Sequence, residues 1–436
     1  MSLSIIILAA GKGTRLKSTR FKVFHEVGNL PMLYHVINKA YLLKPEKCIV
    51  VISQEMISLK KNLLLQYPKL KISVQNKQNG TADAVQSAKS LLSFCKDDLC
   101  LILYGDSPLL ELQTLKKLIK KIKTDKSDLS LLTMKPKDPK CYGRIVLNAN
   151  KSIKKIKEYS EANDIEKKIS LCNSGIMIAK NSIIKSHCKK IKNNNKKNEF
   201  YLTDIVEILV NDGKKVSYDI CDYNETLGVN DRKDLLIVEN EYQKKMRNFF
   251  LNNGVTLIDP KSIYFSFDTI IGKDAIIQPN VYFGKNVIIG ENVRIKSFSH
   301  LEGVKINKNC EVGPFARIRP ESILEKNVKV GNFVEIKQSI IKNDTNVSHL
   351  SYIGDATIGN NTNIGAGSIT CNYDGIRKNN TKIGNNCFIG SNTSLIAPLT
   401  IGDNSIIGAG SVVKKNVPKE TTIFRKSELI KKNNNS

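Results

Sequence analysis

A six-residue period in the second half of the chain limits this sequence to very few folds. From residue 271, apolar side chains recur every six positions for about 140 residues, with occasional one-residue slips. In a hexapeptide repeat each hexad forms one flat face of a prism, its apolar residue points inward, and three hexads complete one coil. The period predicts a left-handed parallel β-helix of about seven coils, with glycine or asparagine at the tight corners. The predicted inward-facing residues are Ile271, Ile277, Phe283, Ile289, Ile295, Leu301, Ile306, Val312, Ile318, Leu324, Val330, Ile336, Ile341, Val347, Ile353, Ile358, Ile364, Ile383, Ile389, Leu395, Ile401, Ile407 and Val413.

One long interruption breaks this period. Between Ile364 and Ile383, 19 residues replace a single hexad. The pair Asp374-Gly375 is typical of a turn, and the residues around it are polar. We expect a protruding loop here, while Thr370 and Ile376 leave open a distorted coil that continues through it.

The first half of the chain has a different pattern, in which short apolar runs alternate with helical periodicity. This alternation predicts a mostly parallel, doubly wound α/β sheet of Rossmann-like architecture. Ligands of such sheets bind at the carboxyl ends of the strands, here residues 9–15 and 104–108. The predicted strands are residues 5–10, 48–52, 72–74 and 99–104, and the predicted helices are residues 31–43, 55–65, 81–92 and 113–122.

A helix is predicted between the two halves of the chain. It spans residues 231–253 and ends at Asn252-Asn253-Gly254. We therefore predict an α/β domain over residues 1–230, a linker helix over 231–253, and a β-helix domain with a C-terminal tail over 254–436. The residues of the helix's predicted apolar face are Leu235, Val238, Tyr242, Met246 and Phe249.

The net charge of +27 would ordinarily indicate a polyanionic partner. However, 58 of the 68 basic residues are lysine, and they stand beside 44 asparagines in a chain without tryptophan. A drift of the coding sequence toward A and T would enrich both residue types. The lysines are also spread evenly, without interleaved aromatic residues, so we expect no nucleic-acid partner.

Neither a membrane span nor a secretion signal is expected. The longest apolar stretch near the start covers residues 5–10, far below the roughly 20 residues that a membrane helix needs. No basic segment precedes it. The ten cysteines form no C-x-x-C pair and, with five scattered histidines, no zinc spacing. We expect a cytoplasmic protein with reduced thiols and no membrane partner.

A glycine-rich loop follows the first predicted strand, at Leu8-Ala9-Ala10-Gly11-Lys12-Gly13-Thr14-Arg15-Leu16. Glycines let backbone N–H groups approach a phosphate, and Lys12 and Arg15 add positive charge. The loop has neither the spacing of a Walker motif nor the third glycine of the dinucleotide fingerprint. Taken alone, so short a turn fits a structural role as well as a phosphate-binding one.

Further motifs give this loop a context. Together with Lys22 it resembles the signature of sugar nucleotidyltransferases, and Tyr104-Gly105-Asp106-Ser107-Pro108-Leu109 resembles their metal-binding loop. With the hexapeptide repeat added, nearly the whole chain resembles the bifunctional N-acetylglucosamine-1-phosphate uridylyltransferases and glucosamine-1-phosphate N-acetyltransferases. That family implies acetylation of glucosamine-1-phosphate by acetyl-CoA, then transfer of UMP from UTP to the acetylated sugar phosphate. The product, UDP-N-acetylglucosamine, is a precursor of peptidoglycan and lipopolysaccharide.

The resemblance implies a nucleotide and sugar site in the first domain. Lys22 would neutralise the triphosphate, while Asp106 and Asn230 would hold Mg²⁺, which prefers oxygen ligands and retains waters. Phe21 stands where the family usually carries proline, so the backbone before Lys22 is less restricted. The other implied residues are Leu8, Ala9, Ala10, Gly11, Gln75, Gly80 and Thr81 for uracil and ribose, Tyr104 and Gly105 beside the metal, and Gly143, Glu158 and Asn173 for the sugar phosphate.

In the β-helix the resemblance implies an acetyl-transfer site around His349. A protonated amine cannot attack a thioester, and histidine, which titrates near neutrality, suits the role of general base. Glu335 is a candidate to orient the imidazole, and Lys378 to meet a coenzyme phosphate. The residues implied for the acetyl acceptor are Arg319, Lys337, Tyr352 and Asn363, and those implied for acetyl-CoA are Ala366, Asn372, Tyr373, Ser391, Ala409 and Arg425.

The scarcity of arginine adds an independent indication. Of ten arginines, four fall in these sites: Arg15, Arg144, Arg319 and Arg425. In a lysine-rich chain, a retained guanidinium suggests a geometric requirement such as bidentate phosphate contact. The resemblance also implies a homotrimer, with each acetyl-transfer site at a subunit boundary.

Two other interpretations make different demands on the sequence. A single-function relative of the ADP-glucose pyrophosphorylase type, whose β-helix only regulates, would lack His349, Lys337 and the pair Asn372-Tyr373. A non-catalytic exchange-factor or scaffold subunit would have lost Asp106, Asn230 or Lys22. All of these residues are present, so we predict the two-reaction enzyme.

Overall fold

The computed structural model describes residues 2–92, 98–139 and 141–424 of the 436-residue chain. The chain divides into two compact units, Met1–Tyr242 and Gln243–Ser436. The division falls within the helix Arg232–Asn252, inside the segment predicted to link two domains. None of the helices in the described part of the chain has the length and apolar character that a bilayer crossing requires.

The first unit is built on a mixed, mostly parallel sheet, as predicted. Its central strand, Leu3–Leu8, is buried along almost its whole length because apolar layers pack against both faces. It pairs in parallel with Lys47–Ser53 and Leu99–Tyr104, whereas Cys172–Lys180 runs antiparallel. In spatial order the main strands are Val216–Cys221, Leu129–Met134, Cys172–Lys180, Leu99–Tyr104, Leu3–Leu8, Lys47–Ser53 and Lys71–Gln75, with Arg144–Leu147 and Ile153–Lys157 attached at one side.

Helices cover both faces of this sheet. The predicted helices over residues 31–43 and 113–122 are present as Met32–Leu42 and Leu112–Thr124. The other two are each divided into an α-helix and a 3₁₀ segment. The other α-helices around this sheet are Lys60–Gln66, Thr81–Ser87, Asp164–Lys167, Asn181–His187 and Ile205–Asn211. The 3₁₀ segments are Thr14–Leu16, Lys22–Phe24, Gln54–Leu59, Lys89–Leu91, Tyr159–Glu161, Cys188–Lys190, Leu202–Asp204 and Tyr223–Thr226. A short hairpin pairs Glu26–Val27 with Leu30–Pro31.

The second unit is a three-sided parallel β-helix. Its strands, of two to four residues, stack into three parallel ladders, and the 3₁₀ segment Pro260–Ser262 follows the first strand. The first ladder contains Thr256–Leu257, Ile276–Ile277, Arg294–Ile295, Glu311–Val312, Lys329–Asn332, Asn346–His349, Asn363–Ile364, Phe388–Ile389, Ile406–Ile407 and Thr422–Ile423. The second contains Ile270–Ile271, Ile288–Ile289, Val304–Ile306, Ser322–Leu324, Ile340–Ile341, Ala356–Ile358, Thr381–Ile383 and Leu399–Ile401. The third contains Tyr282–Phe283, His300–Leu301, Arg317–Ile318, Glu335–Lys337, Tyr352–Gly354, Ile369–Cys371, Ser394–Ile396 and Val412–Val413.

The interior of this prism matches the hexapeptide prediction. Every predicted inward-facing residue is buried in one core, except Ile271, which is partly buried and packs against it. The ladders exceed the predicted seven coils for two reasons: the coil that continues through Thr370 completes eight coils between residues 270 and 413, and the ten-stranded ladder adds Thr256–Leu257 before them and Thr422–Ile423 after them. Asparagines occupy many corners with positive φ, for example Asn280 at 59° and Asn327 at 60°.

Glycines that follow the inward residues have a different role from the predicted one. Gly290 and Gly331 do not adopt the positive φ of a corner. A Cβ atom on Gly290 would lie 2.8 Å from the backbone nitrogen of Lys308, and one on Gly331 would lie 1.7 Å from the carbonyl oxygen of Ser348. These glycines are therefore required by the close approach of the next coil, while the corners are taken by many asparagines and by other glycines such as Gly367 and Gly410.

The long interruption resolves into a continued coil and a loop. Thr370 is buried in the strand Ile369–Cys371, which stays in the ladder. Ile376 is 92% exposed and lies in the loop that follows. Thr370 thus keeps the coil intact, whereas Ile376 does not.

The helix Arg232–Asn252 differs from its prediction at one position. Phe249 is 58% exposed, whereas Phe250 is 1% exposed and lies in the core of its unit. Counting by four from Val238 through Tyr242 and Met246 leads to Phe250. The buried stripe follows this row, so the predicted face was wrong at its last residue.

Candidate active sites

The glycine-rich loop leaves the carboxyl end of the central strand Leu3–Leu8. The backbone N–H of Ala9 donates to the carbonyl of Val51 (2.9 Å), which extends the sheet by one residue before the loop turns away. A Cβ atom on Gly11 would meet nothing within 4 Å, so Gly11 faces open space. The loop therefore presents backbone to a cleft, as a ligand-binding loop at this edge of a sheet does.

A cleft of about 1220 Å³ brings the predicted residues of the first unit together. Gly105 is the exception: its N–H donates to the carbonyl of Leu8 (2.9 Å), and a Cβ atom there would lie 3.2 Å from Leu33. Gly105 does not face the cleft; its hydrogen bond joins the loop Tyr104–Leu109 to the residue at which the glycine-rich loop begins. The predicted residues that line the cleft are Leu8, Ala9, Ala10, Gly11, Lys22, Gln75, Gly80, Thr81, Tyr104, Asp106, Gly143, Glu158, Asn173 and Asn230.

Lys22, Asp106 and Asn230 converge in this cleft. The Nζ atom of Lys22 lies 2.5 Å from Asp106 Oδ2 and donates to Asn230 Oδ1 at 3.1 Å. The side chains of Lys22 and Asp106 are 14% and 18% exposed, so water screens their attraction only weakly. A carboxylate oxygen and an amide oxygen thus face one cation position.

This pair of oxygens suits a hard divalent cation. Carboxylate and amide oxygens are ligands of Mg²⁺, which completes its coordination with waters and substrate phosphates. Among the described residues, no group of three or more His, Cys, Asp and Glu side chains could hold a metal ion. Asp106 and Asn230 would therefore supply the protein ligands, and the other positions would fall to phosphate and water.

Asn230 is held by the start of the helix that follows it. Its backbone N–H donates to Asp234 Oδ2 (2.8 Å), and Asp231 Oδ1 accepts from the N–H groups of Lys233 (2.8 Å) and Asp234 (2.9 Å). Arg232 Nε donates to the carbonyl of Leu16 (3.2 Å), which joins this helix to the glycine-rich segment. These contacts fix the backbone of Asn230 at the start of the helix.

Phe21 does not displace Lys22. Its φ is −58° and its ψ is 142°, and proline would fix φ near −65°. Phe21 therefore has the backbone conformation that proline would impose, and its ring packs against the core of the unit. The departure from the family pattern leaves the position of Lys22 intact.

The segment around Gly80 is shaped by a close backbone approach. Gly80 has φ of 117°, and a Cβ atom there would lie 2.6 Å from the carbonyl oxygen of Phe200. Gln75 Nε2 donates to the carbonyl of Gly80 (3.1 Å) and to Asp83 (2.7 Å), and Thr81 Oγ1 accepts from the N–H of Leu202 (3.0 Å). Glycine is required at this turn.

Gln78 lines the same cleft, although the sequence did not single it out. Its Nε2 donates to the carbonyl of Ala10 at 2.6 Å, so it ties the Gly80 segment to the glycine-rich loop. Its position three residues after Gln75 gave no periodic or motif signal.

The predicted sugar-phosphate residues form a second group in the cleft. Asn173 N–H donates to the carbonyl of Gly143 (2.8 Å), and a Cβ atom on Gly143 would lie 3.5 Å from the Glu158 carboxylate. Burial raises the pKa of Glu158, whose Oε1 accepts from Thr203 Oγ1 at 2.9 Å. Burial, and then the charge of Glu158, raise the pKa of Asp204 to about 6.

Arg144 does not bind phosphate, contrary to the inference from arginine scarcity. Its side chain is 1% exposed and donates to the carbonyls of Tyr142 and Lys167, the latter at 3.3 Å. Its guanidinium lies 5.4 Å from the ring centre of Tyr159. Arg144 is thus a buried support for the segment that carries Gly143, because its Nε, Nη1 and Nη2 atoms donate to backbone carbonyls and the side chain does not reach the surface.

In the β-helix, three of the four predicted acceptor residues, Arg319, Lys337 and Tyr352, lie on or beside the third ladder. Arg319 donates to Glu335 Oε1 (2.8 Å), and Lys337 Nζ lies 3.7 Å from Asp355 Oδ2. Asn372 donates to the same Asp355 carboxylate and lies 3.5 Å from the Tyr352 hydroxyl. Lys337, Asn372 and Tyr352 are thereby grouped around Asp355, while Arg319 pairs separately with Glu335.

Lys378 lies in the loop of the long interruption and is close to Lys337. The hydrogen bond and positive charge of Lys337 lower the pKa of Lys378. Two ammonium groups that meet in this way favour an anion between them. The expected phosphate contact of Lys378 fits this position.

His349 lies at the end of the strand Asn346–His349 and is exposed. Its Nδ1 lies 2.5 Å from Asn332 Oδ1, and these two residues are register partners in neighbouring coils. Glu335 instead pairs with Arg319, so the expectation that Glu335 orients the imidazole was wrong. Sequence reasoning missed Asn332, although one coil, 17 residues here, separates it from His349.

A column of small residues continues from His349 along this edge. The ladder pairs Val347, Ile364, Ile389 and Ile407 in register, so residues two positions further along are aligned as well. Backbone bonds confirm the alignment, from Gly367 to His349 (3.2 Å), from Asn392 to Ala366 (2.7 Å) and from Gly410 to Ser391 (2.8 Å). The predicted residues in this column are His349, Ala366, Ser391 and Ala409; Asn363 lies on the same ladder, Tyr373 is in the exposed loop, and Arg425 lies outside the described residues.

The chain matches known families over both units. Residues 4–225 match the Nucleotidyl transferase family. Residues 268–303 and 380–415 match the Bacterial transferase hexapeptide (six repeats) family, which agrees with the predicted left-handed β-helix, and residues 301–376 match the GMPPB C-terminal domain.

Relatives match this chain over more than nine tenths of its length. The Bifunctional protein GlmU of Zymomonas mobilis is 43% identical over 98% of this chain and 94% of its own length. The protein of that name from Wolbachia pipientis is 41% identical over 98% of both chains. The one from Roseobacter denitrificans is 41% identical over 91% of this chain and 87% of its own.

Proposed function

Because the chain belongs to the bifunctional GlmU family, we propose that its two units carry the two active sites on the residues described above. The chain is an enzyme of UDP-N-acetylglucosamine biosynthesis with both transferase activities. It acetylates glucosamine-1-phosphate with acetyl-CoA, then transfers UMP from UTP to N-acetylglucosamine-1-phosphate and releases pyrophosphate. Membership of a family with two activities disfavours both the single-function and the non-catalytic interpretation.

Uridylyl transfer is assigned to the cleft of the first unit. The observation that carries this assignment is the convergence of Lys22, Asp106 and Asn230 beside the glycine-rich loop. Uracil and ribose are assigned to the glycine-rich loop and the Gly80 turn, and the sugar phosphate to the group around Glu158. The assigned residues are Leu8, Ala9, Ala10, Gly11, Gln75, Gly80 and Thr81 for the nucleoside, and Gly143, Glu158 and Asn173 for the sugar.

The reaction joins two anions, so the enzyme accelerates it chiefly by neutralising their charge and by aligning the reacting groups. An oxygen of the sugar phosphate attacks the α-phosphorus of UTP, and the bond to the leaving pyrophosphate breaks. Lys22 binds triphosphate oxygens, while the glycine-rich loop orients the nucleoside. Asp106 and Asn230 are assigned to a divalent cation, taken to be Mg²⁺, which would neutralise phosphate charge when bound.

Acetyl transfer is assigned to the exposed edge of the β-helix at His349. Because Asn332 Oδ1 accepts a hydrogen bond from Nδ1–H, the lone pair of the imidazole is on Nε2. Nε2 therefore accepts the proton that the amine loses as it attacks the thioester carbon. As the C–S bond breaks, the imidazolium returns this proton to the departing sulfur, and coenzyme A leaves as the thiol. Arg319 and Lys337 bind the phosphate of the acceptor, and Tyr352 and Asn363 contact its sugar.

The acetyl-CoA site is assigned to the column beyond His349. The corner residues along this edge are large and apolar up to His349, at Phe315, Phe333 and Leu350, and smaller or polar beyond it, at Gly367, Asn392 and Gly410. The edge thus becomes a narrow, open surface where an extended coenzyme can lie. The assigned residues are Ala366, Asn372, Tyr373, Ser391, Ala409 and Arg425, with Lys378 for a coenzyme phosphate.

A homotrimer is the assembly that this edge favours. Phe298, Phe315 and Phe333 stack with ring centres 4.9 and 5.1 Å apart and are about half exposed, and Leu350 continues the row. An exposed apolar row beside a catalytic histidine fits a subunit boundary at the site. Light scattering that shows a monomer at micromolar concentration would contradict the trimer.

The cellular setting follows from the chemistry. The product feeds peptidoglycan and lipopolysaccharide synthesis, and UTP and acetyl-CoA are cytoplasmic metabolites, so we place the protein in the cytoplasm. The nine cysteines in the described part of the chain are free thiols, which is compatible with that compartment. No nucleic-acid or membrane partner enters the proposal.

The direct test combines purified protein with glucosamine-1-phosphate, acetyl-CoA, UTP and Mg²⁺. Formation of UDP-N-acetylglucosamine together with free thiol and pyrophosphate is expected. Each half-reaction is then measured alone in the variants Asp106→Asn and His349→Ala. If one variant loses both activities while it remains folded, the assignment of separate sites is refuted.

A further inference from the structure

Lys22 and a divalent cation require the same two oxygen atoms. The Lys22 ammonium is 2.5 Å from Asp106 Oδ2 and donates to Asn230 Oδ1 at 3.1 Å. These are the oxygens assigned above to the cation. An ammonium at that position excludes a metal ion from it by volume and repels the ion by charge.

The stem of Lys22 is also packed against the glycine-rich loop. Gly13 has φ of 65°, and a Cβ atom there would lie 2.6 Å from the Cβ of Lys22. Because the nucleotide contacts this loop in the proposed site, the lysine that blocks the cation position lies directly beside the nucleotide. A triphosphate offers the ammonium several anionic oxygens in exchange for one carboxylate and one amide.

We propose that Lys22 competes with the divalent cation for Asp106 and Asn230, and that the triphosphate ends this competition by drawing the ammonium to its own oxygens. The proposal rests on the proposed uridylyl-transfer site. It makes cation binding depend on nucleotide binding, because the cation gains its two protein ligands when Lys22 moves away. It also gives Lys22 a role in the order of binding besides its charge on the phosphates.

The test measures Mn²⁺ binding to the full chain without nucleotide, from the electron paramagnetic resonance signal of the free ion. Lys22→Met removes the ammonium and keeps an unbranched stem against Gly13, while Lys22→Arg keeps the charge. Lys61→Met removes one positive charge at an exposed position outside the cleft and controls for net charge. Asp106→Asn identifies the site to which the ion binds.

We expect Lys22→Met to lower the Mn²⁺ dissociation constant at least tenfold and Lys61→Met to change it less than twofold. We expect Asp106→Asn to abolish the tight binding of Mn²⁺. Lys22→Gln gives the same comparison if the methionine variant does not fold. If Lys22→Met binds Mn²⁺ no tighter than Lys61→Met while Asp106→Asn still removes the site, the competition is refuted and the metal assignment stands. If Asp106→Asn changes Mn²⁺ binding in no background, the proposed metal site itself fails.

Discussion

Replacement of Asn332 by alanine tests how the imidazole of His349 is held for acetyl transfer. Asn332 Oδ1 is the partner of His349 Nδ1 at 2.5 Å, and the imidazole is exposed. An uncharged hydrogen bond contributes about 0.5–1.5 kcal/mol, and about 1.4 kcal/mol corresponds to a tenfold change in rate. If that free energy serves to orient Nε2 in the transition state, Asn332→Ala lowers kcat by about 2- to 12-fold.

The assay is the initial rate of thiol release from acetyl-CoA with saturating glucosamine-1-phosphate. Asn332→Asp keeps the acceptor oxygen and should retain most of the rate. Asn307→Ala removes another partly exposed asparagine of the β-helix and should have no effect. An unchanged rate in Asn332→Ala would show that the hydrogen bond does not orient the base, and a loss as large as that of His349→Ala would give Asn332 a different role.

The remaining predictions concern the base, a corner and a partly buried carboxyl group. His349→Ala should reduce acetyl transfer by about 10²–10⁴-fold, the usual range for a general base, and leave pyrophosphate release unchanged; retention of more than a tenth of the acetyl-transfer rate would move the base elsewhere. Asn280→Ala, at φ of 59°, should lower the free energy of unfolding of the β-helix by about 1 kcal/mol, whereas Asn280→Gly should be nearly neutral in urea titrations. Because the pKa of Asp204 is raised to about 6, its protonation favours the folded state, and this contribution is lost as pH rises from about 4 to 6. Asp204→Asn should therefore flatten the pH dependence of thermal unfolding in that range. It should also stabilise the first unit near pH 7 by about 1 kcal/mol after allowance for solvent screening. If stability falls with pH as steeply in the variant as in the original protein, the raised pKa of Asp204 is contradicted.

The β-helix could be predicted residue by residue because its constraint is local and repeated. Each coil presents the same environment, so Ile318 and Ile336 face the same core for the same reason and share one position in the hexad. The role of glycine was harder to predict, because the clash at Gly331 is with Ser348, in the next coil. Sequence order does not reveal how closely two coils approach.

The residues that line the nucleotide cleft were predicted from motifs, whereas the residues that hold those motifs in place were not. Side chains such as Asp106 stand in recognisable loops, whereas Arg144 was taken for a phosphate ligand because composition carries no information on burial. Asn332 was missed since its signal is a register relation, one coil before His349, and the length of each coil had to be known first. Phe249 was placed on the buried face for a similar reason, since two adjacent phenylalanines leave the helical phase undecided.

The most direct test of the account mixes two purified variants, Asp106→Asn and His349→Ala, with glucosamine-1-phosphate, acetyl-CoA, UTP and Mg²⁺. The first variant should acetylate the sugar phosphate, and the second should convert the released intermediate into UDP-N-acetylglucosamine. We predict that the mixture forms this product, while each variant alone and the double variant Asp106→Asn/His349→Ala form almost none. A mixture without product, from variants that each retain one half-reaction, would contradict the claim of two independent active sites on this chain.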